Sequence, residues 1–348
     1  MFSISTSDGK RRALDALMHV LPRTAGVDVQ VVGSPKSDRD SDVTINGTRV
    51  ELKWAGEGWL HDVRPILGHV AEHVLIVAVS KMSPGARAKL EEAGISWVDE
   101  TGAAEIVAGP IVISRSGRSS GRPYQLMRWT PAVQSVTEAL LCGVEGTVAA
   151  TRAATKLSSG SCTKALHFLA ERKLLITDAR RGPSSARRVQ DFDGLLYAYA
   201  TAISEEPSAM SIQVGAIWRD VVAGLTGAGH AWDSAGMRWA CTGAVAASIT
   251  APYLSTVSTA DVYVDAKTLS GLEAAARAAG LDPIEGGRLT LRPFPTTASF
   301  QLSTRKHGLR VVPWPRVYAD LRAVGVRGEE AAEHLREQEN AERERAKP

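Results

Sequence analysis

The sequence predicts a multidomain protein of α/β and α+β class. Three observations carry that expectation. Strand and helix signals alternate over the first 112 residues, short amphipathic helices crowd the middle third, and Ala-rich helices mix with short strands in the last. At 348 residues the chain is too long for one small core. The domains expected are 1–122, 123–199 and 200–348, the first break falling in the Ser-, Gly- and Arg-rich stretch Ser114 to Arg122.

In the first segment a helix over Gly9–Val20 turns Leu14, Leu17, Met18 and Leu21 to one side. Strands are expected at Val27–Val32, Val43–Ile45 and Arg49–Trp54. A helix over Leu60–His73, a buried strand at Val74–Val79, a helix over Pro84–Ala93 and strands at Ile95–Val98 and Ala104–Val107 complete the layer.

The spacing from Asp42 to Glu51-Leu52-Lys53 resembles that of restriction-endonuclease-like domains, as does the order helix, strand, Asp-strand, Glu-x-Lys strand, helix, buried strand. Period-2 alternation puts Glu51 and Lys53 on one face. In an active site of this kind Asp42 and Glu51 hold Mg²⁺, and Lys53 orients a water or steadies the phosphate. An ordinary charged hairpin, or a retained fold whose chemistry is lost, are the alternatives. Nearby, His69-Val70-Ala71-Glu72-His73 matches the spacing of inverted zinc peptidases. Apolar strand residues begin at Val74, so His73 falls at a helix end, and helix-surface roles are expected for both histidines.

The middle segment reads as a winged helix-turn-helix. Pro131–Leu141 is a helix, Thr147–Leu157 a second, Ser158-Ser159-Gly160 a tight turn and Ser161–Arg172 a third. In the third, Cys162, Ala165, Leu166 and Leu169 recur at core spacing, which leaves Ser161, Thr163, Lys164 and His167 facing out. Hydroxyls and cations in that position reach phosphates and base edges in a major groove. Leu174–Ile176 and Val189 bracket a wing carrying Arg180, Arg181, Arg187 and Arg188, suited to phosphate or minor-groove contact. A three-helix docking module with a solvated charged surface is the plainer alternative. Charge favours the first reading. Between Ile111 and Gln190 stand thirteen Lys and Arg against four acids, an excess of nine in a chain of net charge +3, so the remainder carries −6.

Composition excludes little else. Apolar residues at 44% and charged residues at 23% are ordinary for a globular protein, and the longest apolar run, Val74 to Val79, is too short to span a bilayer. The first ten residues lack the apolar stretch of a signal peptide, so a cytoplasmic location without membrane contact is expected. Cys142, Cys162 and Cys241 are isolated and are expected to be buried thiols.

Three further stretches resemble the AbiEi family of type IV toxin–antitoxin antitoxins. They are Ala93–Asp99 with Thr101-Gly102, then Trp239–Ala247 followed by Pro252-Tyr253 and Val262–Val264, and finally Val317–Leu321 with Arg327–Ala332. Ala103 departs from the family pattern, where Asn is common. The resemblance implies a winged helix that represses its own operon on double-stranded operator DNA. It also implies a C-terminal domain that counters a nucleotidyltransferase-like toxin, with no cofactor required. Taken residue by residue, Tyr318, Asp320, Arg327 and Glu330 also suit a structural helix hairpin in which Asp320 pairs with Arg327. A Mg²⁺-dependent DNA nuclease targeted by the winged helix is the alternative function. On the antitoxin reading a fragment ending near Tyr199 is expected still to bind its operator but to fail to rescue cells from the toxin.

Overall fold

The computed structural model describes residues 6–21, 28–32, 40–69, 71–109, 111–117, 129–177, 186–206, 210–253 and 257–345. The chain forms two compact units, residues 1–124 with 325–330 and residues 125–324 with 331–348. Both mix helices with a sheet.

The first unit opens with α1 (Thr6–Val20) and the strands β1 (Val29–Val31), β2 (Asp40–Ile45) and β3 (Thr48–Trp54). After these come α2 (Leu60–Leu67), β4 (Val74–Val79), α3 (Pro84–Glu92), β5 (Ser96–Asp99), β6 (Ala104–Ala108) and β7 (Ile111–Arg115). The seven strands lie side by side in chain order. β3, β4 and β5 run parallel, joined through helices, and the other neighbours are antiparallel. Alternation along the strands splits the apolar residues between two cores. Val50, Leu52 and Ile76 pack with Ala13, Ala16, Leu17 and Val20 of α1. Leu75, Val77 and Val79 pack with Leu60, Val63, Ala86 and Leu90 of α2 and α3.

Sequence periodicity misplaces three features here. Met18 is exposed, because alanines at 13 and 16 carry the buried stripe of α1. The helix expected to reach His73 stops at Leu67, with Pro65 inside it and Gly68 at its C-cap. β7 takes in Ser114 and Arg115, which composition assigns to a linker.

The second unit begins with α4 (Pro131–Leu141), α5 (Val148–Thr155), α6 (Ser159–Glu171), the hairpin β8 (Leu175–Thr177) and β9 (Arg187–Val189), and α7 (Phe192–Ser204). Then follow β10 (Ile212–Val214), α8 (Val221–Ser234), β11 (Trp239–Thr242), α9 (Gly243–Thr250), β12 (Ala260–Val264), α10 (Leu269–Ala278) and β13 (Leu289–Pro293). The last elements are α11 (Thr297–Gln301), β14 (Thr304–Lys306), β15 (Leu309–Val311), α12 (Trp314–Arg322) and α13 (Val326–Arg345). Six strands form a mixed sheet in the order β10-β13-β12-β11-β15-β14.

One apolar core runs without interruption from Val136 and Leu166 through Leu195 and Tyr199 to Val262, Val317 and Leu335. Residues 129–206 therefore share their interior with the sheet that follows. The charged tail from Glu337 on, whose composition alone would predict fraying, is helical to Arg345. Its cause is local: Arg336 and Asn340 bond Asp193, and Arg343 lies over the ring of Phe192, at the start of α7. Cys142 is exposed rather than buried, while Cys162 and Cys241 are buried free thiols. Among the described residues, no helix is long and apolar enough to cross a membrane.

Candidate functional site

Two groups of expected functional residues fall in different units. In the first unit, the two-residue turn Asn46-Gly47 joins β2 to β3, both residues at positive φ as a tight hairpin turn demands. That turn fixes the pairing: Ile45 faces Thr48, Val43 faces Val50, and Asp42 faces Glu51. With Val43, Val50 and Leu52 committed to the α1 core, Asp42, Glu51 and Lys53 point to the other face of the sheet.

Lys53 Nζ lies 3.0 Å from Glu51 Oε1. A fourth group joins them. His69, two residues beyond α2, places Nε2 3.2 Å and 3.3 Å from the two Glu51 oxygens and 3.1 Å from Lys53 Nζ. Burial works against ionisation of Glu51, but hydrogen bonds from Lys53 and His69, and the charges behind them, outweigh it and hold its carboxyl below the usual range. The sequence pattern sets His69 inside a zinc-peptidase-like motif. The early end of α2 takes both histidines off the helix, and His69 turns to Glu51 instead.

Mg²⁺ demands oxygen ligands in near-octahedral array. Here both oxygens of Glu51 are engaged by nitrogen groups, and among the described residues no three His, Cys, Asp or Glu side chains converge as a metal site. The arrangement is a carboxylate neutralised by its neighbours, and it does not fit a preformed Mg²⁺ centre.

In the second unit, α5 and α6 are joined by Lys156-Leu157-Ser158, with Lys156 left-handed at φ 60°. Hydroxyls start all three helices: Thr130 accepts from the Val133 amide, Thr147 from Ala150 and Ser158 from Ser161. The turn thus lies earlier than Ser158–Gly160, and Ser159 and Gly160 are the first residues of α6. Cys162, Ala165, Leu166 and Leu169 are buried against Val133, Val136 and Leu140 of α4. Thr163, Lys164 and His167 are exposed on the opposite side, and Ser161 is half-buried with its hydroxyl 2.9 Å from that of Ser158. The Thr163 hydroxyl donates back to Ser159 O. His167 Nε2 lies 3.1 Å from Glu171 Oε1 one turn on.

β8 and β9 pair antiparallel, and Gly146, between α4 and α5, bridges to Arg187 in β9. A side chain at Gly146 would collide with the backbone carbonyl of Arg187, so the bridge requires glycine. Arg188 is exposed on β9, whereas Arg187 is half-buried. Arg180 and Arg181 lie outside the described residues. Two further cations near α6 in sequence are exposed, Arg152 on α5 and Lys156 at its C-cap.

Parts of three motif stretches, Trp239–Ala247, Val262–Val264 and Val317–Leu321, meet in one buried cluster. Asp320 pairs with Arg316 at 2.9 Å rather than with Arg327, and it accepts from Thr242 Oγ1 at 2.6 Å and Tyr263 OH at 2.9 Å. Arg316 also donates to Tyr263 OH. Tyr318 donates to the buried Glu333. In the first unit Asp99 is buried and accepts from the amides of Thr101, Ala103 and Met82, which shapes the turn after β5. Each of these singled-out aspartates and tyrosines has a packing role where it stands.

Compared with models of known families, with curated proteins and with solved structures, the chain matches none.

Proposed function

We propose that this protein is a DNA-binding transcriptional repressor that acts as the antitoxin of a type IV toxin–antitoxin pair. In this reading α4 to α6 with the β8–β9 hairpin form a winged helix, α6 lies in the major groove and the hairpin follows the phosphate backbone. The observation that carries it is the exposed face of α6, Thr163, Lys164 and His167, opposite a face buried on α4. A three-residue turn precedes that helix and a hairpin bearing Arg187 and Arg188 comes after it. The antitoxin half rests on the three sequence motifs, and its direct support would be an adjacent reading frame for a nucleotidyltransferase-like protein. Coexpression with that protein tests rescue.

The DNA half is tested on a duplex selected from random-sequence DNA with the purified protein. Lys164→Ala and His167→Ala lower affinity for the selected site. Arg187→Ala with Arg188→Ala weakens all DNA and flattens the salt dependence, because phosphate contacts release counterions. Equal losses for selected and random DNA across all four changes would remove α6 from the recognition role.

A second reading, a Mg²⁺-dependent nuclease, is favoured by Asp42 facing Glu51 across β2 and β3 with Lys53 on the same side. The engagement of Glu51 by Lys53 and His69 weighs against it. We expect no cleavage of DNA by the purified chain in Mg²⁺ or Mn²⁺. Cutting that disappears in Lys53→Ala, with DNA binding retained, would establish the nuclease instead.

A further inference from the structure

From Val133 to Leu141 every residue of α4 is buried. Its apolar side holds α6, while Gln134, Ser135, Thr137 and Glu138 are all buried as well. Thr137 bonds Val133 O within α4 and Gln134 bonds Trp129 O, whereas Ser135 and Glu138 turn to the C-terminal part of the unit. The Ser135 hydroxyl accepts from the Ala298 amide and meets Thr297 Oγ1 at 3.1 Å. Glu138 is fully enclosed and accepts hydrogen bonds from three hydroxyls. Tyr199 OH of α7 is 2.6 Å away, Thr296 Oγ1 at the N-cap of α11 is at 3.0 Å, and Ser299 Oγ of α11 is at 3.1 Å. The charge of Arg316, also buried, acts on it as well; Arg316 Nη2 bonds Asp320, and Nη1 has no hydrogen-bond partner among the described residues.

A buried carboxylate with three directional donors is a costly group to hold in place of an apolar one. Its return is geometric: donors from α7 and α11 fix the rotation and height of α4. Base readout depends on that placement, because a recognition side chain held to about 0.5 Å discriminates and a looser one does not.

We propose that Glu138, with Thr296 and Ser299, is a positioning residue for DNA recognition, so that α11, in the C-terminal part of the unit, sets the aim of α6. The inference rests on the DNA-binding reading above. It makes the DNA-binding module the whole second unit, with affinity for a specific site controlled from α11, which carries none of the residues assigned to DNA contact.

The test uses the full chain and the selected duplex, beside a random duplex of equal length. Glu138→Leu removes the acceptor, Thr296→Val with Ser299→Ala removes two donors and leaves Tyr199, and Glu138→Gln keeps an acceptor oxygen at the same place. In variants shown by circular dichroism to be folded at the assay temperature, the first two lose about tenfold in affinity for the selected duplex, or about 1.4 kcal/mol. Affinity for random DNA stays unchanged, because surface cations supply it. Glu138→Gln recovers most of the loss. If Glu138→Leu does not fold, the Thr296/Ser299 pair decides. Wild-type affinity for the selected duplex in either folded variant overturns the proposal, and so does an equal loss on both duplexes. Lys164→Ala is run in parallel. If it lowers affinity for the selected duplex while the Glu138 and Thr296/Ser299 variants do not, only the positioning role falls. If Lys164→Ala has no effect on it, the assignment of α6 falls as well.

Discussion

Glu51 and Glu138 carry the same side chain into opposite surroundings. Glu51 sits partly exposed on the sheet face that carries α2 and α3, with two nitrogen groups against it, and the charged form is favoured. Glu138 lies inside α4 among neutral hydroxyls, and burial is the largest influence on it, pushing its carboxyl above the ordinary range despite Arg316 and three hydrogen bonds. The contrast separates two uses of a carboxylate. An acid that remains partly exposed and charged is available to solvent and ligands, whereas one enclosed by fixed donors specifies how helices meet.

The contrast can be broken most severely by truncation. A chain ending at Glu206 keeps α4 to α7 but removes α11 and α12, which exposes the polar face of α4 and half of a continuous core. In such a fragment α4 to α7 are expected to add no cooperative urea transition to that of the first unit, and the fragment to bind no selected duplex. A second sharp transition with retained binding would show that the helix-turn-helix stands alone. Next in size, Glu138→Ala leaves three buried hydroxyls without their acceptor, and a loss of about 3 kcal/mol is expected in the urea midpoint analysis. Glu51→Ala, by comparison, removes a partly exposed pairing and should cost no more than about 1 kcal/mol.

The smallest effect is the most diagnostic, because its sign differs between the two sites. For Glu138 the folded value lies above the unfolded one, so the wild type loses stability relative to Glu138→Gln as pH rises through the carboxylate range. For Glu51 the folded value lies below, so the wild type gains relative to Glu51→Gln over the same rise, and that gain vanishes in acid. Denaturant titrations of the two pairs at several pH values would show slopes of opposite sign. Parallel slopes would mean that the two environments are alike.

Much of the first unit is legible from strand alternation and turn chemistry. Val43, Val50 and Leu52 alternate with Asp42, Glu51 and Lys53, and Asn46-Gly47 sets the register, so the facing of Asp42 on Glu51 follows from local rules. The role of His69 does not, since it depends on α2 ending early and on a contact eighteen residues away in sequence. In the second unit the core face of α6 is read correctly from period 3.6. Glu138 is invisible to the same rule, because a Glu on a helix otherwise reads as a solvated charge. Its partners Tyr199, Thr296 and Ser299 come from 61 to 161 residues further along the chain. The pairing of Asp320 with Arg316 rather than Arg327 is local geometry, since residues four apart on α12 share a face.

The hairpin at Asn46-Gly47 has a consequence for how this chain can change over generations. Asp42 is held opposite Glu51 by apolar residues that the α1 core needs for its own packing. Selection for a folded first unit therefore preserves the backbone frame of a two-carboxylate site whether or not any lineage uses it. The side chains at Asp42, Glu51, Lys53 and His69 can therefore change one at a time while the hairpin that frames them stays in place.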